Sequence, residues 1–149
     1  MEEIIVRKAE VRDVKELLIL NEQLGYKTTA EKLQASLEDL SGNPEYEIFV
    51  AEQTRSKILV GFINAYIMKS IIEEYSYEVL GLVVRDGFRG LNIGVHLLAE
   101  IEKIARSKQI RYITLRSNVK REKAHKFYLR EGFIIRKSQH AFIKEIGWG

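Results

Sequence analysis

The chain has 149 residues, 46% of them hydrophobic and 30% charged, which suits one soluble globular domain with a substantial core. It contains no cysteine, so disulfides and thiolate metal sites are excluded, and His96, His125 and His140 lack the spacing of metal ligands. The net charge of +3 is uneven, because residues 1–84 carry nine Lys+Arg against fifteen Asp+Glu and residues 85–149 carry fifteen against six.

The first forty residues predict a short strand followed by two helices. Residues 4–6 form a β-rich run, and apolar residues then recur at helical spacing from residue 10 to residue 24. Gly25 can end that helix, and Thr28 or Thr29 can cap a second one that continues to Leu40. The single proline, Pro44, follows the second helix.

The remaining elements alternate between strand and helix patterns. Residues 46–52 and 58–68 read as a hairpin around a polar turn. The later elements are predicted as a strand over 75–84, a helix over 92–107, a strand over 110–115, a helix over 121–130 and strands over 133–135 and 141–146. The order βααβββαβαββ describes one α+β domain, residues 1–149, with a mixed sheet and helices on its faces.

A basic, glycine-containing loop separates the strand over 75–84 from the helix over 92–107. It reads Arg85-Asp86-Gly87-Phe88-Arg89-Gly90-Leu91-Asn92-Ile93-Gly94. A loop that opens into a helix offers unpaired N–H groups and the positive end of the helix dipole, so an anion such as a pyrophosphate is expected there. The spacing matches neither the dinucleotide-binding pattern nor the P-loop, which disfavours a nucleotide triphosphatase.

Two segments resemble the GNAT superfamily of N-acetyltransferases. The run Arg89–Gly94 resembles the [QR]-x-x-[GA]-x-[GA] loop that binds the pyrophosphate of acyl-CoA, with Asn92 departing from the usual Gly or Ala. The run Ala124–Phe133 resembles the family's A-x-x-[FL]-Y-x-x-x-G-F segment and lies about 30 residues further on, as the family layout requires. Asn tolerates unusual backbone angles, so the loop shape is expected to survive.

The resemblance implies a GNAT-like fold and a binding site for acetyl-CoA. The expected sheet is mixed and mostly antiparallel, with about seven strands, four helices and a splayed opening between strands 4 and 5. The cofactor would lie between the strand ends near Val84 and Leu115, where unpaired backbone groups can bind its pantetheine amides. The expected cofactor contacts are Leu82, Val83, Val84, Arg89, Gly90, Leu91, Asn92, Ile93, Gly94, Val95, Asn118 and Tyr128.

The chemistry implied by the resemblance needs a base and an acid. An alkyl ammonium must lose a proton before it attacks the thioester, and the departing thiolate benefits from a proton donor. Tyr128 matches the family's donor. Many members carry a Glu where this chain has Leu80, and Glu78 is expected to substitute for it through water, on the face that strand alternation would share among Glu78, Leu80 and Leu82. Other carboxylates left open as candidates are Glu22, Glu73 and Glu74.

The acceptor is expected to be a small-molecule primary amine. In the family the segment between the first two helices borders the acceptor, and the predicted contacts are Glu22, Tyr26, Tyr75 and Tyr77. A protein or peptide acceptor, and a non-catalytic acyl-CoA-binding module, remain alternatives. No aromatic-basic nucleic-acid motif, signal peptide or apolar run of about 20 residues occurs, so we expect no nucleic acid, no metal, no membrane and a cytoplasmic location. Homodimers are common in the family, so a homodimer is one expectation.

Overall fold

The computed structural model describes residues 2–148 and divides into two compact units, Met1–Arg116 and Ser117–Gly149. The first unit holds five strands, a 3-10 turn over Val11–Asp13 and three helices; its elements are β1 (Ile4–Lys8), α1 (Val14–Leu24), α2 (Ala30–Ser41), β2 (Tyr46–Gln53), β3 (Leu59–Met68), β4 (Ser76–Val84), α3 (Ile93–Ser107) and β5 (Tyr112–Leu115). The second unit contains α4 (Glu122–Arg130). No helix in the described part of the chain is both long enough and apolar enough to span a membrane.

The strands form one sheet in the order β1-β2-β3-β4-β5. The first three pairings are antiparallel, whereas β4 and β5 are parallel. Parallel neighbours need a crossover connection, and α3 supplies it. The sheet is therefore mixed and mostly antiparallel, as the sequence predicts.

Helices cover both faces of the sheet. Phe62 of β3 packs with residues of α1 and α2, including Leu17, Leu20 and Leu37. The neighbouring Gly61 lies against the other face, where a Cβ atom would come within 2.7 Å of the Val83 carbonyl oxygen and 3.1 Å of Ile93 Cγ2 in α3. Successive strand residues point to opposite faces, so α1 and α2 lie on one side and α3 on the other. The missing side chain at Gly61 lets α3 approach the strand closely.

A β-bulge in β4 changes which residues share a face. Ala65 pairs with Val79 while Asn64 pairs with Gly81, so Leu80 is the extra residue. Beyond it the alternation shifts by one position. Glu78 therefore shares the α1 side with Gly81 and Val83, and the expectation that Glu78 and Leu82 lie on one face is wrong.

The expectation of about seven strands is also wrong. In the described residues the element order is βααβββαβα, and the sheet has five strands. No strand forms over 133–135 or 141–146, although both segments are rich in β-forming residues. A strand is stable only beside a partner, and local composition does not supply one.

Candidate active site

Strands β4 and β5 part in the middle of the sheet. Their ladder runs from Ser76 opposite Tyr112 to Val79 opposite Leu115 and stops there. β4 continues to Val84 and pairs only with β3 over that length. The polar backbone groups of residues 80–84 that face away from β3 thus have no β5 partner, which is the arrangement an amide-containing ligand can fill.

The loop after β4 folds through three left-handed residues. A turn is closed by the Phe88 N–H donating to the Arg85 carbonyl at 3.0 Å. Gly87, Gly90 and Asn92 have φ values of 88°, 85° and 60°. Glycine adopts such angles without cost, and asparagine tolerates them better than most residues. The loop shape is therefore compatible with Asn92 at the second fixed position of the pattern.

The first turn of α3 presents free amide groups. The N–H groups of Ile93, Gly94 and Val95 precede the first residue that has an intrahelical acceptor, since His96 N–H donates to the Asn92 carbonyl at 3.0 Å. That turn contains no acidic residue. The positive end of a fifteen-residue helix thus lies at the end of β4 without a negative side chain in its own first turn.

Gln23 of α1 fixes the position of this loop. Its Nε2 donates to the Val84 carbonyl at 2.7 Å, and its Oε1 accepts from the Asp86 N–H at 2.9 Å. The amide side chain thereby replaces a strand partner at the point where β4 ends. No local sequence pattern indicates this role for Gln23, because its partners lie 61 and 63 positions further along the chain.

The two arginines of the loop have different environments. Arg85 Nη1 donates to Glu16 Oε1 at 2.9 Å and to the Leu59 carbonyl at 3.0 Å, so it holds β4 to α1 and β3. Arg89 is exposed, and its ion pair with Asp86 is 3.5 Å long. Only Arg89 is therefore readily available to an incoming anion.

A polar cluster surrounds Glu78 on the α1 side of the sheet. Glu78 is 9% exposed; its Oε1 lies 3.6 Å from Arg116 Nε, and its Oε2 accepts from the Tyr66 hydroxyl at 3.4 Å. The Tyr66 ring stacks on Tyr46 with 5.6 Å between centroids. Burial raises the pKa of Tyr66, and the negative charge of Glu78 raises it further. The cross-strand register, with Glu78 opposite Tyr66, is the signal that would identify this cluster.

A cavity of about 90 Å³ lies on the same face, between the sheet and helices α1 and α2. Its polar lining residues are Asn21, Ser36 and Asn64. The Asn64 Oδ1 atom is buried and has no hydrogen-bond partner among the described residues. An unpaired acceptor in a cavity is costly unless something binds it.

A larger cavity, about 250 Å³, is lined by Glu74, Tyr75 and residues 108–111. It lies at the start of β4 and β5, the ends of the strands opposite to the glycine loop. The volume of a cavity therefore does not by itself identify the active site in this unit.

The predicted acceptor contacts do not converge. Glu22 and Tyr26 are exposed near the end of α1, and Tyr75 borders the larger cavity. Tyr77 has no exposed surface and lies on the face opposite to Glu78, with the Lys108 ammonium 6.0 Å from its ring centroid. The structure does not support the expectation that Tyr77 contacts the acceptor, because its side chain is fully buried.

The second unit contains the helix predicted to supply the acid. On α4 the Tyr128 ring packs edge-on against Phe127 and Phe133, with centroids 5.6 and 5.7 Å away. Burial raises the pKa of Tyr128, and the positive charge of Arg121 offsets this only in part. The phenol is therefore protonated at neutral pH and can donate a proton. Before the helix, Asn118 Oδ1 accepts from the Lys120 N–H at 2.9 Å, which leaves its side-chain NH₂ for another partner.

Comparisons with known proteins find related acetyltransferases. The model of the acetyltransferase (GNAT) family matches residues 12–133. An aminoalkylphosphonate N-acetyltransferase from Salmonella typhimurium is 32% identical over 129 residues, which are 86% of this chain and 79% of that protein. The glucosamine-6-phosphate N-acetyltransferase of Arabidopsis thaliana has a similar fold, with a TM-score of 0.84, 21% identity and coverage of 97% of this chain and 100% of that one. So does AAC(6')-Iy, solved with a CoA bisubstrate analogue, with a TM-score of 0.82, 16% identity and coverage of 96% and 99%.

Proposed function

The chain belongs to the GNAT family and is an acetyl-CoA-dependent N-acetyltransferase, and we propose that it acetylates the primary amine of a small molecule by direct attack in a ternary complex. The amine nitrogen forms a bond to the acetyl carbon, the carbon–sulfur bond breaks, and the amine's proton leaves as the CoA thiolate gains one. The observation that carries this proposal is the parting of β4 and β5 beside the open first turn of α3.

The donor site follows from the unpaired backbone. In the proposed complex the pantetheine amides hydrogen-bond to β4 residues 82–84, and the pyrophosphate binds the amides over Gly90–Val95. Arg89 adds an exposed positive charge to that loop. Asn118 is proposed as a further contact to the cofactor arm through its free NH₂ group.

Glu78 is the proposed base. It is the buried carboxylate at the level where the strands part, and its hydrogen bond from Tyr66 and ion pair with Arg116 hold it in one orientation. A carboxylate in this position can accept a proton from the ammonium, directly or through one water molecule. The shift of face produced by the bulge places it toward α1 and α2, on the side of the polar cavity.

Tyr128 is the proposed acid. Its phenol stays protonated at neutral pH, because burial raises its pKa. A neutral hydroxyl can donate its proton to the departing thiolate and recover one from solvent after the product leaves. This role depends on the family resemblance of the segment around Tyr128 and on that protonation state.

We further propose an acceptor that carries a phosphonate or phosphate group as well as its amine. The Salmonella relative is named for aminoalkylphosphonates. In this chain a carboxylate and a guanidinium lie side by side at the opening, since Glu78 and Arg116 form a pair and Arg116 is 72% exposed. Such a pair can bind the ammonium and the phosphonate oxygens of one short molecule, because each end meets an opposite charge.

The proposal is tested by measuring thiol release from acetyl-CoA with a panel of amines. We expect turnover with 2-aminoethylphosphonate and at least about tenfold lower kcat/KM with ethylamine, which lacks the anion. Turnover only with peptides would make the chain a protein N-acetyltransferase. Tight acetyl-CoA binding with no thiol release from polyamines, aminoglycosides, peptides or phosphonates would identify a non-catalytic acyl-CoA-binding module.

A further inference from the structure

A hydrogen-bond acceptor without a partner lies in the cavity of about 90 Å³ on the α1 side of the sheet. It is Asn64 Oδ1, which is buried and unpaired within the described part of the chain. The hydroxyl of Tyr77 is buried and unpaired as well, but Tyr77 lines neither of the two cavities described above. Unpaired buried polar atoms destabilise a fold and are few in native proteins. The position of Asn64 Oδ1 therefore points to a donor that comes from outside the chain.

The lining of this cavity favours a neutral group. Its apolar residues come from α1, α2, β2 and β3: Leu17, Leu33, Leu37, Leu40, Ile48 and Phe62. Its polar residues are Asn21, Ser36 and Asn64, and no charged side chain among the described residues lines it. An ammonium or a phosphonate would lose its water there without meeting an opposite charge, which is costly. A hydroxyl can enter at lower cost, because it donates to Asn64 Oδ1.

The cavity has room for a short branch of a molecule. The share of one water molecule in the liquid is about 30 Å³, so a volume of about 90 Å³ holds roughly three non-hydrogen atoms. Ser36 is exposed and also lines the cavity, so the cavity reaches the surface of the first unit. A hydroxymethyl or hydroxyethyl group fits this space, whereas a sugar ring does not.

Strand register places Asn64 beside the proposed base. Tyr66 pairs with Glu78 and donates to its Oε2 at 3.4 Å, and Asn64 precedes Tyr66 by two residues on the same face of β3. Diagonal neighbours on adjacent strands lie about 7–8 Å apart. Asn64 pairs with Gly81, so it lies nearer than Glu78 to the end of β4 where the glycine loop begins. A molecule whose amine is held at Glu78 can therefore reach Asn64 through a short carbon chain.

We propose that the acceptor carries a neutral hydroxyl two or three carbon atoms from its amine, and that Asn64 Oδ1 accepts the hydrogen bond of this hydroxyl. Asn64 is then a residue that determines specificity, because it distinguishes an amino alcohol from an amine of the same shape. Placing the amine at Glu78 depends on the proposed function, whereas the unpaired Oδ1 atom does not. A phosphonate on the same molecule stays outside the cavity, where Arg116 can pair with it.

The test compares acceptors that differ only in that hydroxyl. 2-Amino-3-hydroxypropylphosphonate and 2-aminobutylphosphonate have branches of equal length, but only the first can donate a hydrogen bond. Calorimetry in the presence of CoA, in place of acetyl-CoA, measures their binding without turnover. We expect the wild type to bind the hydroxyl compound at least about tenfold more tightly, and Asn64→Leu to lose that preference.

A matched variant controls for the loss of an amide side chain. Gln34→Leu makes the same kind of change at an exposed residue of α2 that does not line the cavity. We expect it to retain the wild-type preference. Thermal unfolding shows whether each variant is folded, and the comparison of the two phosphonates in the wild type does not depend on either variant.

A second pair of compounds separates the role of Asn64 from the proposed phosphonate. 2-Aminobutan-1-ol and 3-aminopentane differ by the same hydroxyl and carry no anion. A tenfold preference in this pair, with no binding of either phosphonate, would support the role of Asn64 and contradict the phosphonate proposal. A preference seen only with the phosphonates would support both.

Three results would overturn the role of Asn64. The first is equal affinity within both pairs, since a water molecule would then satisfy Oδ1 as well as the acceptor does. The second is a preference that Asn64→Leu retains. The third is a wild type that binds none of the four compounds.

Discussion

Glu78 Oε1 and Arg116 Nε lie 3.6 Å apart at the level where β4 and β5 separate. The parallel register places Glu78 opposite Thr114, and Arg116 is two residues further along the same face. If β5 paired with β4 one residue out of this register, Arg116 would lie on the α3 side and the buried Glu78 carboxylate would lose its ion pair. The pairing of charges at the opening is thus a consequence of strand register.

Replacing Glu78 by Gln tests its role as base. The amide keeps the size of the side chain but cannot take a proton, so kcat should fall by about 10²-fold or more while the affinity for acetyl-CoA is unchanged. Steady-state kinetics and calorimetry measure the two quantities. Glu38→Gln is the control, because that carboxylate is exposed on α2 and its replacement should leave kcat unchanged. Unchanged kcat in Glu78→Gln would assign proton removal to another group.

Replacing Tyr128 by Phe tests the proton donor. Loss of the hydroxyl should lower kcat by about 10²-fold and leave acetyl-CoA affinity nearly intact. Because burial raises the pKa of Tyr128 above its ordinary 10.0, any loss of wild-type kcat through ionisation of this group should occur at a higher pH than for an unperturbed tyrosine. Tyr112→Phe, which removes the hydroxyl of a half-exposed tyrosine on β5, provides the control. Equal turnover in both variants would remove Tyr128 from the mechanism.

The loop and the start of α3 could be predicted from the sequence because their signals are local. Gly87, Gly90 and Asn92 each occupy a left-handed position, and an apolar helical pattern begins directly after them. The splayed opening between β4 and β5 is also present, as the family resemblance implies. These features depend on residues that are neighbours in the chain or on a motif with fixed spacing.

The faces of β4 could not be predicted in the same way. The bulge at Leu80 is set by the pairing of Asn64 and Ala65 with Gly81 and Val79, and strand alternation alone does not reveal it. Tyr77 has no exposed surface, and the presence of Tyr75 and Tyr77 as a pair in the sequence does not reveal that burial. The strands predicted over 133–135 and 141–146 are absent for another reason. Their composition favours an extended backbone, but composition does not show whether a partner strand is present.

Replacing each loop arginine in turn should affect a different property: cofactor binding for Arg89 and stability for Arg85. Arg89→Gln removes an exposed charge and should weaken acetyl-CoA binding by about 1.5–3 kcal/mol with no change in thermal unfolding. Arg85→Gln removes the contacts to Glu16 and the Leu59 carbonyl, so it should lower the unfolding temperature instead. Calorimetry and thermal melts measure both proteins. A drop in stability with Arg89→Gln would place Arg89 in the scaffold.

Replacing Asn64 by Leu should preserve or raise the stability of the fold and weaken acceptor binding. The Asn64 Oδ1 atom is buried and has no hydrogen-bond partner in the described part of the chain, so Asn64→Leu removes an unsatisfied acceptor and should keep or raise the free energy of unfolding, by up to about 1–3 kcal/mol. If the small cavity receives the acceptor, the same change should raise the acceptor KM and leave that of acetyl-CoA unchanged. Ser36→Ala changes another polar residue that lines the same cavity, and it should have a smaller effect. A destabilised Asn64→Leu protein with normal KM would make Asn64 structural.

Arg7 joins three elements through two buried carboxylates. Its guanidinium donates to Asp13 at 2.8 and 2.9 Å and to Glu52 at 3.1 and 3.3 Å. Burial raises the pKa of Asp13, but the hydrogen bonds from Arg7 and from the Glu10 N–H outweigh it and leave the pKa below its ordinary 3.8. The hydrogen bond from Arg7 lowers the pKa of Glu52 from 4.5.

These shifts predict how stability depends on pH. Both pKa values are lower in the folded chain, so the unfolded chain binds more protons as the pH falls through 4.5 and 3.8, and the stability that is complete at neutral pH is lost below that range. Arg7→Met leaves two buried charges unpaired and should cost about 3–5 kcal/mol at pH 7. Its deficit should narrow in acid, because protonation neutralises those carboxylates. Urea unfolding at several pH values, with Lys8→Met as the exposed control, measures this; parallel curves for wild type and Arg7→Met would show that Arg7 does not set the two pKa values.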